Sequence, residues 1–245
     1  MTVVAVEERG PVSIIAINRP EKMNAINKQV AIDLQQAFAA FDRGPQRVAI
    51  LTGAGGRAFS AGADVTDLPE LWRCVPTVGI VTEKPIIAVV SGWCIGGGLV
   101  MAMMCDLLVA AESARFSYPE GKVGITGGMI AALAARIPHK IAMELMLLGE
   151  PVSAARAYEA GFANRVVPDG AELSTALEMA EKIVELAPLA LATMKRFVNE
   201  HVLPKGPSEL AARFAAELAA VRNSEDAAEG VRAFKERRRP QYKGR

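Results

Sequence analysis

Ile86-Ile87-Ala88-Val89-Val90-Ser91-Gly92-Trp93-Cys94-Ile95-Gly96-Gly97-Gly98-Leu99-Val100-Met101-Ala102-Met103-Met104-Cys105-Asp106 is the stretch on which the reading of this 245-residue chain turns. Its first five residues form a run rich in β-branched side chains, of the length of a buried strand. Leu99 to Cys105 is apolar on every side, so as a helix it must be buried. Gly96, Gly97 and Gly98 stand at the joint between them. A helix that starts at a glycine-rich turn aims free N–H groups and the positive end of its dipole outward. That is a place for a developing negative charge. Shortly downstream, Arg115-Phe116-Ser117-Tyr118-Pro119 leads into a glutamate, Glu120.

Outward from this joint, the totals narrow the class. Half the residues are hydrophobic, enough for one large core. Lys+Arg is 28 and Asp+Glu 27, so no global field draws the chain to nucleic acid or an anionic membrane. Basic residues gather only near the C-terminus, at Lys235-Glu236-Arg237-Arg238-Arg239. Cys74, Cys94 and Cys105 are few, odd in number and set among apolar residues, which points to a reducing compartment rather than a disulfide framework. His139 and His201 lack partners at ligand spacing, so no metal site is expected. No basic-then-apolar leader opens the chain, and its apolar runs are too short or interrupted to span a bilayer. A soluble, cytoplasmic α/β protein is expected.

Taken in order, Val3–Glu7 and Val12–Asn18 flank Arg9-Gly10-Pro11 and read as a hairpin. Asn27 is a candidate N-cap for a helix carrying Val30, Leu34, Ala37, Phe38 and Phe41 on one face. Val48–Thr52 reads as a strand. Ala58-Phe59-Ser60-Ala61-Gly62-Ala63-Asp64 is too small and glycine-rich for a regular helix, and offers exposed backbone instead. Asp67–Arg73 reads as a short helix. After Glu120, Val123-Gly124-Ile125-Thr126-Gly127-Gly128 is a second glycine joint, with a helical stretch through Arg136. Pro138 opens a helix with Ile141, Leu145 and Leu148 on one face. Ser153 and Gly161 bracket another, and Asn164–Val167 is the last strand. From Ala171 only helical spacing remains. The chain thus divides into a βα-rich body, residues 1–187, and a helical tail, residues 188–245. The tail's Leu210, Phe214, Leu218, Val221, Val231 and Phe234 need a surface to cover, either on their own body or between subunits.

Arg19-Pro20 with Asn24-Ala25, the segment Ala58–Asp64, Ile95-Gly96-Gly97-Gly98, Cys105-Asp106, Phe116 through Pro119-Glu120, Ala160–Val167, and Glu229-Gly230 with Phe234 and Arg239-Pro240 occur in one order. Together they resemble the enoyl-CoA hydratase/isomerase, or crotonase, family over nearly the whole chain. The resemblance implies a spiral of ββα repeats with a C-terminal helical trimerisation region, and a homotrimer or homohexamer. It implies an acyl-CoA substrate, with no cofactor beyond its CoA moiety. Negative charge on the thioester oxygen would be held by the backbone N–H groups of Ala63 and Gly97, better than the ground-state carbonyl is held. The backbone around Ala25, Ala61 and Ala63 would line the CoA channel, with Asp64 and Val65 beside it. Lys22 would meet a CoA phosphate or else be a solvated loop lysine.

One departure bears on the reaction. The family's hydratases carry two glutamates, one two residues beyond the glycine triplet and one after the proline. Here the second is Glu120 and the first position is Val100. Valine can neither take a proton nor hold a water. A single carboxylate can move a proton from one carbon to another, which favours double-bond isomerisation. Hydration, thioester hydrolysis, decarboxylation and a non-catalytic CoA-binding subunit stand as alternatives. Tyr118, Cys94 and Ser60 are possible helpers, and Glu83, Glu150 or a residue of a partner subunit could re-enter the site. The segment between Asp64 and Lys84 is short, and the stretch after Ile125 lacks the Pro-Gly-Ala insertion common in relatives, so an altered acyl pocket is expected. Trp93 either faces the acyl group or packs in the core.

Overall fold

The structure, a computed structural model, describes residues 2–245. β1 (Val4–Arg9) and β2 (Val12–Ile17) form the antiparallel hairpin. A 3-10 turn at Pro20–Lys22 leads to α1 (Lys28–Arg43), where the Asn27 side chain accepts the Val30 N–H at 3.0 Å. The chain then alternates between two sheets: β3 (Val48–Gly53) and β4 (Ala58–Ser60), β5 (Ile86–Val90) and β6 (Trp93–Ile95), α2 (Gly97–Met104), β7 (Leu107–Ala111) and β8 (Arg115–Ser117). α3 (Glu120–Val123), α4 (His139–Leu148), β9 (Val152–Ser153), α5 (Ala154–Glu159) and β10 (Arg165–Val167) complete the strand-bearing part. The larger sheet has the order β1-β2-β3-β5-β7-β10 and the smaller β4-β6-β8-β9. Each parallel step from the first sheet to the second is followed by a helical turn, which makes a spiral of ββα units.

Period-two alternation assigns each side chain of the large sheet to one of two cores. Ile15, Ile17, Ala49, Leu51, Ile86, Ala88 and Val90 face the main core with α1 and α2. Ile14, Val48, Ile50, Ile87, Val89 and Val109 face the other side, where α6 (Glu172–Val184) lays down Leu173, Ala176, Leu177 and Ala180. β5 is therefore covered on both faces, which is why it reads as an unbroken apolar run. Every residue of α2 is buried, as an all-round apolar helix requires.

α7 (Pro188–Phe197), α8 (Pro207–Arg222) and α9 (Glu225–Lys235) form the tail. It is tied down by charge as well as apolar contact. Lys195 donates to the Lys84 carbonyl and to Asp106, each at 2.7 Å, and Asp106 also accepts the Ile86 N–H. Arg196 pairs with Glu83 at 2.7 Å. Two expected helices differ in form. Asp67–Arg73 is reduced to one 3-10 turn at Leu71–Cys74, between Pro69 and Pro76. Residues 129–135 are 3-10 rather than α, bounded by Gly128 in the left-handed region and by Pro138. On α4, Leu145 is buried but Leu148 is exposed.

Candidate active site

Three backbone segments converge at the start of α2. The first is the loop after β2. Asn24, fully buried with a φ of 56°, accepts the Arg19 N–H and donates to the carbonyls of Ala54 and Ala58. That knot fixes residues 19–26 against the strand segment Ala61–Asp64. Ala61 N–H donates to Met23, Ile26 N–H to Gly62, and Asp64 N–H to Ile26. In this parallel bridge the N–H of Ala63 is turned away from Ile26. Arg19 closes the corner, donating to the Ala25 carbonyl at 2.7 Å and to Asp64 Oδ2 at 3.1 and 3.2 Å. The Thr66 hydroxyl and amide, and then the Arg19 guanidinium, hold the Asp64 carboxyl below its usual pKa against the opposing effect of burial. Asp64 is thus a clamp between segments, its carboxylate already occupied.

The second segment is the glycine turn. Gly96 has a φ of 53° and ψ of −116°, a backbone that an L side chain rarely adopts, and it starts α2. Gly97 is the first helical residue, so its N–H has no intrahelical partner. A Cβ on Gly62 would stand 3.3 Å from the Gly97 nitrogen and 2.9 Å from the Ile95 carbonyl oxygen. The Gly62-Ala63 segment and the Gly96-Gly97 turn therefore lie in contact, 34 positions apart in sequence. Among the described residues, neither the Ala63 nor the Gly97 N–H donates a hydrogen bond within the chain. Leu71 covers the turn, its Cδ1 standing 2.9 Å from where a Gly97 Cβ would be.

The third segment carries Glu120, the first residue of α3 and partly buried. Its Oε1 lies 3.6 Å from the position of a Cβ on Gly96. Its Oε2 accepts a hydrogen bond from Tyr118 Oη. Tyr118 Oη is in turn 3.0 Å from Thr126 Oγ1, which accepts the Gly128 N–H at 3.0 Å. Burial, and then the bond to Glu120, push the Tyr118 phenol above its usual pKa. Val100, on α2, is 2% exposed and packed in the main core. A site of this form can hold an anionic oxygen on two amides and move a proton with one carboxyl group.

The structure thus brings Ala25, Ala61, Ala63, Asp64, Gly97 and Glu120 onto converging segments. Lys22 is exposed at the end of its 3-10 turn, and Val65 is exposed beyond Asp64. Ser60 is spent on the backbone, donating to the Asn24 carbonyl and accepting the Gly62 N–H. Cys94 is buried, and burial pushes its thiol well above its usual pKa. Glu83 is committed to Arg196, and Glu150 is exposed beyond α4. Trp93 is exposed at the start of β6 and so does not pack in the core. The Arg19–Asp64 clamp, Leu71 and Thr126 had no signal in sequence, because each partner is supplied by a remote or irregular segment. A cavity of about 520 Å³ lies at the opposite end of α2, lined by Met103, Met104, Phe162, Leu191 and Lys195, away from Gly97. Among the described residues, no group of three or more His, Cys, Asp or Glu side chains is placed to hold a metal ion, and no helix is long and apolar enough to cross a membrane.

Residues 7–245 match the sequence profile of the enoyl-CoA hydratase/isomerase family. The chain is 36% identical over 252 residues to carnitinyl-CoA dehydratase of Salmonella typhi, with 96% of each chain covered. It is 36% identical over 256 residues to (E)-benzylidenesuccinyl-CoA hydratase of Thauera aromatica, covering 98% of this chain and 99% of the relative. Among solved structures, a probable enoyl-CoA hydratase/isomerase from Mycobacterium abscessus matches with a TM-score of 0.77 and 40% identity over 100% of both chains. The spiral of ββα turns is the crotonase-like fold. Identity at this level, sustained along the full length of fold and sequence, leaves one assignment: the chain belongs to the enoyl-CoA hydratase/isomerase family.

Proposed function

We propose that the protein forms and collapses the enolate of an enoyl-CoA thioester, with the N–H groups of Ala63 and Gly97 on the thioester oxygen and Glu120 as proton shuttle. The observation that carries this reading is the pair of amides without partners, on contacting segments, beside a single carboxylate oxygen. CoA would run along Ala25, Ala61, Asp64 and Val65, with the exposed Lys22 at a phosphate and no further cofactor. Among the family's reactions, the geometry favours double-bond migration. Glu120 takes a proton from C2 of a 3-enoyl-CoA, and the electron pair moves onto the thioester oxygen. The extended enolate then collapses, C4 takes the proton back from Glu120, and the double bond comes to rest in conjugation. One carboxyl group closes this cycle, and Val100 needs to contribute nothing.

A second reading is hydration of a 2-enoyl-CoA or its reverse, loss of water from a 3-hydroxyacyl-CoA. It is favoured by the names of the relatives, a dehydratase and a hydratase. A short panel separates the two. Supplied with 3-enoyl-CoA and 2-enoyl-CoA, the protein should conjugate the first faster than it hydrates the second. Faster hydration would give the second reading the lead. In either case Glu120→Gln should lower turnover by about a hundredfold or more while acyl-CoA binding, measured by calorimetry, is kept. Undiminished turnover in that variant would remove Glu120 from the reaction.

A further inference from the structure

The two oxygens of Glu120 are not equivalent. Oε1 faces the glycine turn, 3.6 Å from a Cβ placed on Gly96. Oε2 is engaged by Tyr118, which is engaged by Thr126, which is engaged by the Gly128 N–H. A count of protons fixes the direction of this chain. The Gly128 amide can only donate, so Thr126 Oγ1 accepts there. An ionised Glu120 can only accept, so Tyr118 spends its one proton on Oε2. Thr126 must then spend its own on the Tyr118 oxygen. Every donor is used and every bond points toward Glu120.

The bond matters because, among the described residues, no other hydrogen bond reaches the carboxyl group. The last torsion of a glutamate is broad, and rotation exchanges its two oxygens at little cost. Tyr118 is itself held: it is 5% exposed and its ring packs in the main core. Thr126 is held through Gly128. At Gly128 φ is +73°, and a Cβ would stand 2.2 Å from Ser208 Oγ, so the first turn of α8 lies directly over the outer end of the chain.

We propose that Tyr118 and Thr126 are positioning residues that reserve Oε1 as the proton-carrying oxygen of Glu120. The proposal rests on the enolate reading above. Its consequence is that a proton leaves and returns through one atom on one face of the substrate. Oε2, already carrying the Tyr118 bond, has no part in the transfer and offers no second route to solvent.

The test uses 3-enoyl-CoA deuterated at C2 and turned over in ordinary water. The wild type should carry part of the label across to C4. Tyr118→Phe keeps the ring and loses only the hydroxyl. It should deliver less label and lower kcat by about tenfold to a hundredfold, with KM changed by no more than about twofold. Thr126→Val should move both in the same direction and Thr126→Ser should restore them. A second readout needs no turnover. A slowly exchanging hydroxyl proton resonance should be present in the resting wild type, absent in Tyr118→Phe and shifted in Thr126→Val. Unchanged label transfer and kcat in Tyr118→Phe would overturn the proposal, and so would the lack of that resonance in the wild type. A wild type that carries the resonance but isomerises nothing would overturn the isomerase reading and leave the hydrogen-bond chain standing.

Discussion

Gly62 has a φ of 88°, and a Cβ there would press on the Ile95 carbonyl at 2.9 Å and on the Gly97 nitrogen at 3.3 Å. Gly62→Ala therefore carries two penalties. The left-handed backbone costs a non-glycine residue roughly 1–2 kcal/mol. The contact also pries apart the two segments that carry the free amides. If one donor is lost, turnover should fall by about a hundredfold to a thousandfold. Gly10→Ala is the control: its φ is also positive, at 56°, with nothing within 4 Å of the new Cβ, so it should cost stability but leave kcat alone. An equal loss of kcat in both variants would detach the Gly62 contact from catalysis. Cys74 allows a pH test. Burial pushes its thiol up to about 12, against about 8.5 for an exposed cysteine. The folded state keeps the proton where the unfolded chain has lost it. The contribution is thus complete below about pH 8.5 and drains away as pH climbs toward 12. Melting temperature should fall less steeply between pH 8 and pH 10.5 in Cys74→Val than in the wild type, and parallel curves would count against it. At this scale the sequence was legible where a residue's own chemistry is unusual for its place. Three glycines before an apolar helix mark a turn with free amides, whereas Glu120 is singled out by the family resemblance and not by its place after a proline. Tyr118–Thr126 and Arg19–Asp64 were not legible. The first spans an irregular loop, and the second joins residues 45 apart with no periodicity between them.

α8 is the element that joins tail to site. Ser208 lies over Gly128, and the next residue, Glu209, is 2% exposed. Its carboxylate contacts Lys205 at 3.4 Å and Arg213 at 3.6 Å, with no hydrogen bond to either oxygen. Burial lowers the pKa of Lys205, and that of Arg136, while Glu209 works in the opposite direction on both. Glu209→Ala would leave three cations around an uncompensated space. Removing one member of a buried charge cluster typically costs about 3–5 kcal/mol. Urea unfolding of the variant should show a loss of that order, and a loss below about 1 kcal/mol would mean that water already screens the cluster. Elements whose ends carry their own chemistry were readable in advance. Asn27 and Ser153 cap α1 and α5 as expected, with side chains accepting the Val30 and Arg156 N–H groups. The two 3-10 segments were not, because periodicity marks an apolar face without saying how tightly the backbone winds. In each case prolines or a left-handed glycine close the segment before an α-helix can settle.

At the scale of the whole molecule, α8 carries an apolar stripe that the rest of the chain leaves uncovered. On α8, Phe214, Leu218 and Val221 recur at helical spacing and are 60%, 68% and 69% exposed. The opposite side of the same helix is already in use, with Glu209 buried and Ala212 packed against the main core. The tail thus covers its own body with one face and presents the other outward. Val231 and Phe234 of α9 are exposed as well. A single chain rarely leaves a continuous apolar stripe of this kind in water. From the family resemblance, the expected occupant is another copy of this chain, and rotational symmetry would close such an assembly. Sedimentation velocity should give a particle of three or six chains of 26.0 kDa. Leu218→Glu places a charge at the middle of the stripe and should shift the particle toward one chain, with the circular dichroism of the body unchanged. Gln29, exposed on α1 with its side chain donating to Asp33 one turn on, supplies the comparison: Gln29→Glu adds the same charge away from the stripe and should leave the mass as it was. A wild type that sediments as a single 26.0 kDa chain at micromolar concentration would mean that the stripe is not a contact between copies of this chain.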